Sequence, residues 1–108
     1  MAELTFRNAS LADIDALVRL ENRCFEDDRI SRRSFRRFID MPRDRVILAE
    51  EQGELVGYSL VLMKANTRLA RIYSIAVAPS MRGRGLGESL IRESERQAAE
   101  ADRIIMRL

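Results

Sequence analysis

Arg71-Ile72-Tyr73-Ser74-Ile75-Ala76-Val77 is a strand-like apolar run that breaks at Ala78-Pro79-Ser80 and leads straight into Met81-Arg82-Gly83-Arg84-Gly85-Leu86-Gly87. The last segment opens an amphipathic helix whose core-facing side is predicted to carry Leu86, Leu90, Ile91 and Ala98. Gly83, Gly85 and Gly87 alternate along the junction. Residues without Cβ accept turn conformations closed to others, so successive backbone N–H groups can converge on one concavity. The helix start adds unpaired N–H groups and roughly half a positive charge. A phosphate or pyrophosphate is the natural guest of such a junction. The plainer alternative is a tight turn with solvated arginines. A turn needs only one or two glycines, however, and each glycine in a helix costs up to about 1 kcal/mol.

Other glycine-rich phosphate loops have different spacing. A dinucleotide fingerprint requires a glycine where this chain has Glu88 or Leu90, depending on which pair of glycines starts the count, and no Gly-Lys-Ser/Thr triplet exists for a Walker loop. Arg82-x-x-Gly85-x-Gly87, behind the strand ending Ile75-Ala76-Val77-Ala78-Pro79, resembles the acetyl-CoA-binding motif of the GNAT N-acetyltransferases. Leu55-Val56-Gly57-Tyr58 and Tyr73-Ser74-Ile75-Ala76-Val77 resemble the branch that contains the ribosomal-protein-alanine acetyltransferases.

The resemblance implies an α/β (α+β) fold with a mixed, mostly antiparallel sheet flanked by helices. It also implies that the family's C-terminal strands are missing, because such proteins continue past the strand that here reads Arg103-Ile104-Ile105-Met106-Arg107-Leu108. Residues 1–108 would then be one acetyl-CoA-binding domain, incomplete at its C-terminal end. In the family the strands corresponding to Arg71–Val77 and Arg103–Leu108 diverge, and the pantetheine arm lies between them like an added strand. Ile75 and Val77 would offer main-chain contacts to it. Arg82, Gly83, Arg84, Gly85, Leu86 and Gly87 would hold the pyrophosphate.

The remaining elements follow from periodicity and punctuation. Leu4–Arg7 predicts a short strand; Ser10 and Asp13 form a capping-box pair ahead of a helix to about Phe25, with Leu11, Ile14, Leu17, Val18 and Glu21 at helical spacing. A second helix spans Ser31 to Asp40 and stops before Pro42. Val46–Glu50 and Leu55–Met63 predict strands joined through Gln52-Gly53, and a further hairpin-like connection lies near Ala65-Asn66-Thr67. Arg29, Arg32, Arg33, Arg36 and Arg37 fall on one side of the second helix and Phe35, Phe38 and Ile39 on another. Such a basic side is either a solvated face or an attractor of acidic partners. Glu26-Asp27-Asp28 before it either attracts a cationic amine or neutralises those arginines.

Composition narrows the function classes. The chain has 108 residues and a formal charge of +2, too balanced to favour nucleic acid as a partner. Its single cysteine, Cys24, rules out an internal disulfide and is expected to be buried and inert. No run approaches the ~20 apolar residues of a membrane span, and no signal-peptide pattern begins the chain, so a cytoplasmic protein without membrane contact is expected. The absence of histidine removes Ser-His-Asp catalysis and most zinc sites, and no metal is expected.

An acetyl-CoA co-substrate implies acetyl transfer to a primary amine, most readily a protein or peptide N-terminus. An α-amino group of pKa about 8 is far more often neutral at pH 7 than a lysine at about 10.4, a difference of about 3 kcal/mol. The resemblance supplies no general base here. Where some members carry a carboxylate on the strand before the glycine loop, this chain has Arg71, and the branch's own base and acid lie past Leu108. The catalytic residues are therefore unknown at this level, and Tyr58 and Tyr73 read as strand residues packed on the sheet. Two functions stay open: an N-acetyltransferase, or a catalytically silent acyl-CoA-binding module. An apolar terminal strand also leaves an edge through which a homo-oligomer could form.

Overall fold

The computed structural model of the chain describes residues 3–105. Strand β1 (Leu4–Asn8) and a 3₁₀ turn (Leu11–Asp13) precede helices α1 (Ile14–Cys24) and α2 (Arg32–Asp40). Strands β2 (Arg45–Glu51), β3 (Glu54–Met63) and β4 (Leu69–Val77) follow, then a 3₁₀ turn (Pro79–Met81), helix α3 (Leu86–Glu100) and strand β5 (Ile104–Ile105). The sheet order is β1-β2-β3-β4-β5. The first four strands pair antiparallel, and β5 lies parallel to β4, as a strand reached through a helical crossover does. The mixed, mostly antiparallel sheet flanked by helices is therefore present.

Local chemistry places these elements. The Ser10 N–H donates to the Asp13 carboxylate at 2.8 Å, and Arg7 on β1 grips the same carboxylate at 2.7 Å, tying β1 to the start of α1. Ser31 Oγ accepts from the Ser34 N–H and caps α2. Gln52 and Gly53 both have positive φ, 54° and 78°, which a two-residue hairpin of the type I′ class requires. Burial corrects two positions of the α1 stripe: Leu11 is 45% exposed and Val18 half-buried, while Leu20 and Glu21 are buried.

Both faces of the sheet are covered, because consecutive residues of a strand point to opposite sides. On β3, Tyr58 meets Phe35 of α2 edge-on at 5.6 Å between ring centroids. Its neighbour Ser59 faces α3 instead and hydrogen-bonds Ser94 at 2.7 Å. Leu86, Leu90 and Ala98 of α3 are buried as expected, whereas Ile91 is half-buried. Gly57 lets α3 come this close: a Cβ there would lie 2.9 Å from the Ala76 carbonyl oxygen and 3.1 and 3.3 Å from the side chains of Leu90 and Leu86.

Gly57→Ala is therefore expected to destabilise the fold by about 1–3 kcal/mol through overpacking against backbone and helix. A lowered urea midpoint with an unchanged slope would bear this out; an unchanged midpoint would show that α3 shifts freely.

Candidate functional site

The junction between β4 and α3 begins with a carbonyl that carries two donors. The Cys24 thiol donates to the Val77 oxygen at 3.4 Å and Arg82 Nε donates to it at 3.3 Å. Cys24 is thus half-buried against β4 rather than enclosed in the core. Desolvation pushes its thiol pKa up, with the Arg82 guanidinium acting in the opposite direction. Past Arg82 the chain turns through Gly83 and Gly85, both at φ 80°, and a Cβ at either position would meet nothing within 4 Å. Arg84 points away from the turn, donating to Met81 Sδ at 3.0 Å and Glu51 at 3.4 Å.

Gly85 is the N-cap of α3, and its carbonyl accepts the Ser89 N–H at 3.1 Å. The N–H groups of Leu86 and Gly87, in the first turn, have no acceptor within the helix. Leu86 contributes only its backbone, since its side chain is in the core. Gly87 is helical and nearly unopposed, because a Cβ there would touch only Val77 Cγ2, at 4.0 Å. Two open positions at positive φ followed by the start of a 15-residue helix leave backbone N–H groups in an arrangement that can hold an anion.

The strand leading into this junction has one committed edge. The Ala78 N–H donates to the Val56 carbonyl at 2.9 Å, so in an antiparallel ladder the peptide groups of Val77 and Ile75 turn to the opposite side. There β5 pairs only with Leu69 and Ala70. Among the described residues, β4 beyond Ala70 has no strand on that edge. The expected divergence from residues 106–108 lies outside the described residues. Ile104, 60% exposed, leaves an apolar edge on β5.

A cleft of about 530 Å³ lies on the other side of β4, under the loop between α1 and α2. Glu21, Asp27 and Asp28 stand along it with Arg37, Phe38, Tyr73 and Ser74. Tyr73 is 51% exposed rather than packed on the sheet, with the Arg71 guanidinium 5.7 Å from its ring centroid and the Phe38 ring 6.1 Å from it. Arg32, Arg33, Arg36 and Arg37 are exposed on α2, and Arg32 pairs with Asp15; Arg29, also exposed, lies in the loop before the helix and donates to the Phe25 carbonyl.

Sequence reasoning missed the buried polar group behind this cleft. Glu21 is 2% exposed and Tyr58 fully buried. Glu21 Oε1 accepts the Tyr58 hydroxyl at 2.6 Å, Glu21 Oε2 accepts the Ile30 N–H at 2.7 Å, and Tyr58 Oη also meets Ser74 Oγ at 3.1 Å. Desolvation and then the Glu21 carboxylate raise the tyrosine's pKa well above its ordinary range. The available signal was Glu21 itself, a carboxylate at helical spacing among apolar residues. A charge at a core position implies a buried partner.

Among the described residues, no cluster of His, Cys, Asp and Glu could hold a metal, and no helix is long and apolar enough to cross a membrane. The acetyltransferase (GNAT) family model matches residues 14–108. A Bacillus subtilis protein named for [ribosomal protein bS18]-alanine N-acetyltransferase is 29% identical over 96 residues, covering 89% of this chain and 62% of that protein. The chain thus spans about three fifths of the curated relatives it matches along most of its length. In fold, it is similar to the ribosomal-protein-S18-alanine N-acetyltransferase from Escherichia coli, with TM-score 0.80 and 18% identity over 92% of this chain and 61% of the other. It is also similar to an N-acetyltransferase from Thermoplasma acidophilum solved with coenzyme A, with TM-score 0.82 and 13% identity over 92% of this chain and 74% of the other.

The junction's glycines should separate by stability. Gly85→Ala places a Cβ at positive φ and should cost about 1–2 kcal/mol. Gly87→Ala replaces a helical glycine in open space and should add about 0.5–1 kcal/mol. Thermal unfolding of both variants measures the contrast, and destabilisation by Gly87→Ala would show that this glycine serves packing.

Proposed function

Because the chain belongs to the acetyltransferase (GNAT) family, we propose that it binds acetyl-CoA at the β4–α3 junction and transfers the acetyl group to a primary amine. The observation that carries this reading is Gly87, a glycine in the first turn of a helix with nothing but Val77 near its missing Cβ. Folding gains nothing from it there. Close approach of a ligand to the backbone gives it a purpose. The pyrophosphate would lie against the N–H groups around Gly83, Gly85, Leu86 and Gly87, with Arg82 supplying positive charge nearby, whereas Arg84 is held by Met81 and Glu51. The outward peptide groups of Ile75 and the N–H of Val77 suit the pantetheine amides, while the Val77 carbonyl is engaged by Cys24 and Arg82.

Acetyl-CoA supplies a thioester carbonyl, and the protein's part is to hold it beside a neutral amine with water excluded. An N–H near Val77 would steady the charge that develops on the carbonyl oxygen. The cleft under the α1–α2 loop reaches β4 from the face opposite α3, and its carboxylates Asp27 and Asp28 suit a cationic acceptor arriving from solvent. We take that acceptor to be the α-amine of a protein or peptide. Its lower proton affinity favours it over lysine, and the relatives named for alanine N-acetylation agree with it.

Calorimetric titration with acetyl-CoA tests the junction directly. Gly85→Asp and Gly85→Asn share shape and tolerance of positive φ, so their difference reports charge alone. The Asp variant should bind at least about tenfold more weakly than the Asn variant, and Gly87→Ala should also lose affinity. Equal affinities for the Asp and Asn pair, or no binding by the unaltered chain, would defeat the assignment.

A further inference from the structure

Acetyl transfer requires a group that takes a proton from the amine, and Arg71 on β4 cannot, being a permanent cation. A carboxylate does reach β4 from behind. Tyr58 has one proton, and at 2.6 Å from a carboxylate oxygen it must donate that proton to Glu21. The 3.1 Å contact between Tyr58 Oη and Ser74 Oγ is then donated by Ser74. The chain of hydrogen bonds therefore has one direction, from Ser74 through Tyr58 to Glu21. Its outer end is an oxygen with free lone pairs on the wall of the cleft, one residue before Ile75. That orientation suits a base, because the group facing the cleft accepts.

We propose, resting on the acetyltransferase reading above, that Ser74, Tyr58 and Glu21 form the proton relay of the reaction. Ser74 is the catalytic residue that touches the acceptor amine, and Tyr58 and Glu21 act through it as positioning residues. As the amine nitrogen bonds to the acetyl carbon, its proton passes to Ser74 Oγ, the serine proton to Tyr58 Oη and the tyrosine proton to Glu21 Oε1. When the carbon–sulfur bond breaks, the path runs in reverse and delivers the proton to the sulfur of coenzyme A. Amide and thiol are released, and all three side chains return to their starting forms. Burial keeps Tyr58 from ionising, so the protons move together rather than through a tyrosinate. The Ile30 N–H holds Glu21 Oε2 throughout and fixes the carboxylate while its other oxygen gains and loses a proton.

The test uses the whole chain, acetyl-CoA and a peptide with a free N-terminal alanine or serine. Ser74→Thr and Ser74→Val have nearly the same shape and differ in the hydroxyl. Thr should keep the unaltered rate within a small factor, while Val should lower kcat on the order of 10²-fold, with acetyl-CoA affinity by calorimetry the same in both. Tyr58→Phe and Glu21→Gln should lower kcat to a similar degree. If either buried variant fails to fold, the Ser74 pair still decides. A Val variant as fast as the Thr variant overturns the relay, as does an unaltered chain that binds acetyl-CoA without turnover. Failure to bind acetyl-CoA at all is a different result, and it removes the acetyltransferase reading on which the relay stands.

Discussion

A strand offers hydrogen bonds along two edges, and among the described residues β4 commits only one of them over most of its length. Its inner edge is tied to β3 from Ala70 to Val77, while the described part of β5 meets its outer edge at Leu69 and Ala70. Among the described residues, no strand pairs with the outward peptide groups of Ile75 or the outward N–H of Val77. The outward peptide groups of Ile75 and the outward N–H of Val77 are consequences of where this strand stops being paired. The Cys24 thiol and Arg82 already occupy the Val77 carbonyl, which marks the end of the open edge.

The position of α3 depends on a second close fit. At Gly57 a Cβ would press on the Ala76 carbonyl and on Leu86 and Leu90 of α3, which fill the space above it. Because Leu86 is both the first residue of α3 and part of the core, its burial fixes the helix start against the end of β4. The N–H groups at the start of α3 have no side chain to adjust their aim, so their direction is set by this anchoring.

On the opposite face the controlling cost is that of burying a charge. Glu21 lies in the core, where an unpartnered carboxylate would be strongly unfavourable. It is satisfied from two directions, by Tyr58 of β3 and by the Ile30 backbone in the loop after α1. Each of those bonds contributes about 1.5–3 kcal/mol as a bond to a charged group. Together they hold the α1–α2 loop over β4 and give the cleft its wall. The β4–α3 junction thus has an apolar anchor behind it, and the cleft has a polar one.

Local chemistry carries far in this chain, because many of its signals act over a few residues. The Gln52-Gly53 turn, the helix start at Ser31, the stop before Pro42 and the alternating glycines each determine backbone geometry where they stand, so strand and helix order and the glycine-rich turn between β4 and α3 were legible. What spans distant segments was not. Glu21, Tyr58 and Ser74 are separated by 37 and 16 residues, and only the stacking of α1 on two adjacent strands makes them one network. Tyr73 and Ser74 are neighbours in the chain, yet strand geometry and the irregularity between Leu60 and Val61 put one in solvent and the other against the core. Period and punctuation decide which elements form; the desolvation of Glu21 and the fit at Gly57 are settled only when those elements pack.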